Sequence, residues 1–338
     1  MTLKERINIL VELGSHLRGQ DEYLDALMHR TSHHNPWFTI GNQQQAIASI
    51  AGNMLLREKL EAWLQRYDVP EAAPPRTVGI VMAGNIPLVG FHDLLFVFVA
   101  GHRALIKMSD KDPYLLPYLL KLLAGFDERA ESWFGITAQL RGFDAVIATG
   151  SNNSARYFEA YFGKYPHIIR RNRNGIAVLT GEESAEELRE LGKDVFQYFG
   201  LGCRNVSKIY VPRGYDFDPL LEALHEHRAI VLHNKYKNNF DYNYALHMLN
   251  KEEFKANGCI ILREDDSLQS RIASLHFEYY GSPEGLEQEL ESRKGQIQCI
   301  VARDGLLKQP AYPFGTAQEP QLWDYADGVD TMEFLLGL

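Results

Sequence analysis

Phe199-Gly200-Leu201-Gly202-Cys203-Arg204-Asn205-Val206 sets one thiol among small residues, just after an amphipathic stretch. A cysteine at such a junction can present its sulfur to a cleft, where flanking glycines let backbone N–H groups approach whatever the sulfur attacks. The competing reading is a small core hydrophobe, the usual role of an unoxidised cysteine. Cys259 and Cys299 sit inside apolar runs, and for them the core role is expected. Three more clusters fall where strands should end: Gly84-Asn85-Ile86-Pro87, Lys107-Met108-Ser109 and Gly150-Ser151-Asn152. Gly, Ser and Asn are ordinary helix caps at such turns. A lysine flush with the end of a buried strand is less ordinary, because its ammonium needs a partner. A phosphate or ribose held by Lys107 and Ser109 would supply one, and so would a neighbouring carboxylate. None of the three turns is a GxGxxG or a P-loop. Arg170, Arg171 and Arg173 form a basic run with three readings: bidentate contacts to phosphate, positive charge that lowers the pKa of Cys203, or a solvated strand edge. His33-His34 and His225 with His227 lack a carboxylate or cysteine at ligand spacing, so surface histidines and no metal are expected.

Those residues need elements to hold them. Residues 3–68 read as helical, with a loop over Thr31–Phe38, and Glu71–Arg76 breaks the pattern as a connector. From Thr77 short apolar strands alternate with helices: strands over 78–83, 104–107 and 144–149, helices over 88–100, 114–124 and 153–162. That alternation predicts a parallel sheet covered on both faces, which binds ligands at the carboxyl ends of its strands. A second α/β region spans 176–301, with strands over 175–179, 208–211, 258–262 and 297–301. Its helices are expected over 184–199 and 218–227, and Tyr236–Tyr244 reads as a packed loop, with a pocket wall near His233 as the alternative. The chain has 338 residues, 45% hydrophobic and 23% charged, with a formal charge of −9. Such a charge argues against nucleic acid as a partner. The most apolar run, Leu94–Ala100, is too short to span a bilayer and reads as a buried helix. Met1–Arg6 lacks the apolar core of a signal peptide, and three distant cysteines make no disulfide framework, so a reducing cytoplasm is expected.

The ordered set Gly84-Asn85-Ile86-Pro87, Ala104-Leu105-Ile106-Lys107-Met108-Ser109 with Asp112-Pro113, Ala148-Thr149-Gly150-Ser151, Gly202-Cys203 and Tyr312-Pro313-Phe314-Gly315 resembles the aldehyde dehydrogenase superfamily. Gly84–Phe91 and Gly202–Val206 are most similar to its acyl-CoA reductases of the bacterial luminescence (LuxC-like) type. The resemblance implies an α/β fold of two three-layer domains with Rossmann-like parallel sheets, preceded by an N-terminal helical segment. Residues 1–174 plus 311–338 would bind NAD(P), and 175–310 would carry the nucleophile, with the active site in the cleft between them. Cys203 would hold the acyl group as a thioester, and the Asn85 amide would stabilise the oxyanion. Lys107 and Ser109 would meet the adenosine ribose and its phosphate, Gly150 and Ser151 the pyrophosphate, and Phe314 the nicotinamide. The implied reaction is reduction of a fatty acyl-CoA to aldehyde. NADPH is preferred over NAD because Lys107 is present and the superfamily's ribose carboxylate is unmatched. In the hydrolytic relatives a Glu-Leu-Gly-Gly-Lys segment supplies a water-activating glutamate. Here Ile169–Gly175 carries arginines instead. A guanidinium is no general base, which favours discharge of the acyl-enzyme by hydride. An aldehyde dehydrogenase, an acyl-phosphate reductase and a non-catalytic binding or scaffold subunit are the alternatives. The partners implied are acyl-CoA or another activated acyl substrate, with an acyl-activating enzyme and a second copy of the chain as candidate protein partners.

Overall fold

The computed structural model describes residues 1–71 and 74–338, so the connector reading over Glu71–Arg76 falls partly outside the described residues. The chain divides into two compact units, Met1–Asn172 with Pro320–Leu338, and Arg173–Glu319.

The first unit opens with four helices, α1 (Leu3–Leu17), α2 (Glu22–His34), α3 (Ile40–Ser49) and α4 (Arg57–Leu64). A capping box at Thr2 and Glu5 starts α1, and Asp21 caps α2, so the expected loop begins only after His34. The sheet follows, with β1 (Thr77–Val81), α5 (Phe91–Val99), β2 (Arg103–Lys107), α6 (Leu115–Phe126), β3 (Phe134–Ile136), β4 (Ala145–Thr149), α7 (Asn152–Phe162) and β5 (His167–Arg170). All four strand pairings are parallel, in the order β3-β2-β1-β4-β5. Ala145–Ala148 are buried without alternation, as strands covered on both faces require. Strand order reverses between β1 and β4, the point where open α/β sheets leave a crevice at their carboxyl ends.

The second unit runs β6 (Asn174–Val178), α8 (Ala185–Phe196), β7 (Val206–Pro212), α9 (Asp218–His225), α10 (Asn234–Asn250), β8 (Lys255–Ala256), β9 (Ile261–Glu264), β10 (Ser274–Tyr280), α11 (Pro283–Ser292) and β11 (Ile297–Val301). Its sheet has the order β11-β6-β7-β10-β9-β8, parallel except for the β8–β9 edge. Residues 311–319 pack with this unit, where Tyr312 bonds the main chain of Ile300 and Ala302. The chain then returns to the first unit as α12 (Thr331–Leu336).

Two expectations fail for local reasons. The helix after β1 begins at Phe91 and not at Leu88, because Leu88 takes a left-handed φ of 54° and donates its N–H to the Asp112 carboxylate at 2.8 Å. Tyr236–Tyr244 is not a loop but the body of α10. Its Tyr236, Phe240 and Tyr244 recur at the i, i+4 spacing of one helix face, a signal hidden by the asparagines between them.

Candidate active site

Three of the sequence's clusters meet at the carboxyl edge of the first sheet. Asn85 follows β1, Lys107 ends β2 with Ser109 beyond it, and Gly150 and Ser151 follow β4. Gly84 is required there: a Cβ would fall 2.2 Å from the Ser109 Oγ, so the turn after β1 lies directly on the turn after β2. Lys107 is exposed, whereas the half-buried Ser109 turns its Oγ against Gly84 and accepts from the Lys111 N–H at 3.3 Å. The third turn is more committed. The Gly150 N–H donates to the Arg170 carbonyl at 3.2 Å, and the Ser151 hydroxyl caps α7 by accepting from the Ser154 N–H at 3.1 Å. The Ser109 side chain fills the space that a side chain at 84 would need, so the turns after β1 and β2 are packed against each other.

The basic run divides. Arg170 is neither solvated nor turned toward a ligand: it is buried, 2.5 Å from the Asp93 carboxylate, and donates to the Thr331 Oγ at 3.0 Å. It therefore ties β5 to α5 and α12. Arg171 is exposed and pairs with Glu159, and Arg173 donates to the Lys294 and Ile297 carbonyls in the second unit.

In the second unit Cys203 is half-buried, while Cys259 and Cys299 are buried. Burial pushes the Cys259 thiol up to about 11. Ahead of Cys203, Tyr198, Phe199 and Gly200 have φ of 53°, 59° and 75°. Two successive non-glycine residues in the left-handed region cost on the order of 1–3 kcal/mol each. Packing holds them there, with both side chains buried and the Phe199 ring 4.4 Å from that of His233. The turn itself is fastened by Asn205. Its Nδ2 donates to the Asp194 and Gln197 carbonyls, both at 2.8 Å, and its Oδ1 accepts from the Gly202 N–H at 2.8 Å. Gly175 lets β6 press against this turn, since a Cβ would lie 2.5 Å from the Arg204 carbonyl. Phe314 is half-buried in the loop that continues to Gly315, whose N–H donates to the Asp194 carboxylate at 2.7 Å. The structure thus brings the Cys203 turn and the Phe314 loop onto one residue of α8.

Asp112 and Asp194 escaped the sequence reading as contributors. For Asp194 the signal was present: it lies on the apolar stripe of α8 with Leu188, Leu191 and Val195. Burial pushes the Asp112 carboxyl up to about 6 and that of Asp194 up to about 7, against the pull of the N–H groups each accepts. A carboxyl whose native pKa exceeds its unfolded one holds an extra proton in the native state. Stability therefore falls as pH rises through the window from about 4 to that native value. For Asp112 this amounts to at most about 3 kcal/mol. Urea midpoints should show wild type losing stability relative to Asp112→Asn between pH 4 and pH 7. A wild-type-minus-variant difference that stays flat over that window would refute the assignment.

Among the described residues no group of three or more His, Cys, Asp or Glu side chains is placed to hold a metal ion, and no helix is long and apolar enough to cross a membrane. His227 is half-buried and stacks on Phe196 at 5.1 Å, so it is a packing residue and not a surface one.

The two α/β units, built on mostly parallel sheets behind an N-terminal set of helices, have the aldehyde-dehydrogenase-like fold. No known family's sequence model matches the chain, and no curated protein does. Solved structures match it by shape. The chain is similar to the NAD-dependent aldehyde dehydrogenase of Sinorhizobium meliloti, with a TM-score of 0.66 at 11% identity over 90% of this chain and 71% of that one. The NAD+ complex of an aldehyde dehydrogenase from Bacillus cereus gives 0.64 at 13% identity over 91% and 72%. An indole-3-acetaldehyde dehydrogenase of P. syringae, in complex with NAD+ and IAA, gives 0.64 at 13% over 91% and 74%.

Proposed function

We propose that the chain is an NADPH-dependent reductase that converts an activated acyl group, a fatty acyl-CoA thioester, to aldehyde through Cys203. The observation that carries the reading is the Cys203 turn: one half-buried thiol of three, following the left-handed backbone of Tyr198–Gly200 and fastened by Asn205, within an aldehyde-dehydrogenase-like fold. The Cys203 thiolate attacks the thioester carbonyl, its new C–S bond replaces the one to CoA, and CoA leaves as thiolate. A nicotinamide cofactor, when bound, supplies the hydride that releases the aldehyde and returns the thiolate. Lys107 and Ser109 would hold its adenosine ribose. A lysine ends β2 where dinucleotide folds that prefer NAD carry an acidic residue, which favours a 2′-phosphate. Ile169–Gly175 contains no carboxylate, so that segment offers no base to activate water.

The Asn85 amide is the oxyanion donor in this reading. Asn85→Ala should lower kcat by roughly 10²–10³ with the acyl-CoA KM little changed, measured at steady state. An unaltered kcat would remove Asn85 from the mechanism.

A second reading is favoured by the neighbours, which are aldehyde dehydrogenases, two of them solved with NAD+. In that case Cys203 attacks an aldehyde and the thioester forms by oxidation. NADPH oxidation across an acyl-CoA chain-length series, with CoA release followed in parallel, separates the two. One CoA per NADPH supports the reductase. Aldehyde-dependent NAD+ reduction without CoA chemistry overturns it in favour of the second. An acyl-activating partner enzyme, self-association and a cytoplasmic setting belong to the same proposal.

A further inference from the structure

A ring of hydrogen bonds closes beside Cys203. The Asp194 carboxylate accepts from the Gly315 N–H at 2.7 Å and from the Ala317 N–H at 2.9 Å. The Ala317 carbonyl accepts from Arg204 Nε at 2.6 Å, and the same guanidinium lies 4.6 Å from the centre of the Tyr312 ring. Arg204 continues through the main chain into Asn205, whose Nδ2 donates back to the main-chain carbonyl of Asp194 at 2.8 Å. Asp194, Arg204, Asn205 and Ala317 are all buried. Asp194 therefore grips two segments with two different groups, the 315–317 loop with its carboxylate and the Cys203 turn with its carbonyl.

A buried carboxylate is a costly way to fill a helix–sheet interface, where an apolar side chain would pack at no desolvation penalty. Its two oxygens accept from one backbone N–H each, where an amide in the same place would offer one acceptor oxygen and turn its own NH2 against the second donor. A locally expensive feature that joins two loops beside a candidate nucleophile points to function more than to stability.

We propose that Asp194 is a positioning residue for Cys203, locking the 201–205 turn to the loop that carries Phe314 so that the two move as one body. The inference rests on the reading of Cys203 as the nucleophile. Asp194→Asn keeps the shape but sets an amide N–H against one of the two backbone donors. Arg204→Lys opens the ring on its far side by removing Nε.

The test measures single-turnover acylation by acyl-CoA and, without any substrate, alkylation of Cys203 by iodoacetamide. Folding is followed by circular dichroism. Misplacement by about 1 Å can cost about 10²-fold in rate. Folded Asp194→Asn should therefore acylate roughly 10- to 100-fold more slowly than wild type, with the half-saturating acyl-CoA concentration within about threefold. Its alkylation rate should shift as well, and Arg204→Lys should repeat both effects. A folded Asp194→Asn that acylates and alkylates at the wild-type rate overturns the proposal. Where Asp194→Asn does not fold, a folded Arg204→Lys at the wild-type rates overturns it equally. Loss of folding in both variants reduces the ring to a structural staple and also overturns it. Failure of the nucleophile reading shows elsewhere, as acylation that persists in Cys203→Ala.

Discussion

Cys203→Ala should abolish covalent acylation altogether, while the protein folds and binds its acyl substrate as before. The expectation rests on where the side chain sits. Cys203 is half-buried on a turn whose shape is set by other groups: the three Asn205 hydrogen bonds, the Gly175 approach and the aromatic packing of Phe199. Removing the sulfur takes none of these away, so the stability change should stay within about 1 kcal/mol, as for truncations away from a filled core. Nucleophile removal in enzymes that form acyl intermediates lowers kcat by about 10⁶. Here that means no detectable turnover. Intact-mass spectrometry after mixing with acyl-CoA should show an added acyl group in wild type and none in the variant. Cys259→Ala is the matched control, since that thiol is buried against the Leu224 carbonyl and should leave acylation untouched. An adduct of equal yield in Cys203→Ala would move the nucleophile elsewhere and end the reductase reading.

What was legible in the sequence was whatever short-range pattern controls. The strands of the first sheet are near-continuous apolar runs, and serine caps announce α7 in the first unit and α8 in the second, Ser151 and Ser184. The positions of Asn85, Lys107, Ser109 and Ser151 at strand ends followed from the same alternation. Contacts between residues distant in sequence were not legible. Nothing near Arg170 says that Asp93 and Thr331 will close around it, because the pairing depends on β5 lying across α5 and on the return of the chain as α12. Asp112 likewise controls the start of α5 through one bond to Leu88, 24 residues upstream of it. The Asn-rich α10 shows the opposite failure, where composition masked a period that was there to be counted.

The absence of a base at Ile169–Gly175 and the burial of Arg170 belong together. A glutamate at position 170 would stand beside Asp93 in a buried setting, and two carboxylates there would repel each other. An arginine satisfies Asp93 and binds α12 as well, so the position serves the fold of the first unit rather than water activation.

The largest stability effect should therefore come from Arg170. Arg170→Ala leaves the Asp93 carboxylate buried without its partner, and breaking a buried pair on one side costs about 3–5 kcal/mol. All four tryptophans, Trp37, Trp63, Trp133 and Trp323, lie in the first unit, so their fluorescence reports the urea unfolding of that unit specifically. The midpoint should fall sharply in Arg170→Ala. It should recover most of the way in Arg170→Met with Asp93→Leu, because replacing both ions by apolar groups removes the desolvation penalty with the attraction. The same double variant decides between the structural and phosphate-binding roles of this arginine. A structural Arg170 predicts that the rescued protein keeps its acyl-CoA KM within about threefold. A restored midpoint with a KM raised tenfold or more would return Arg170 to the substrate site.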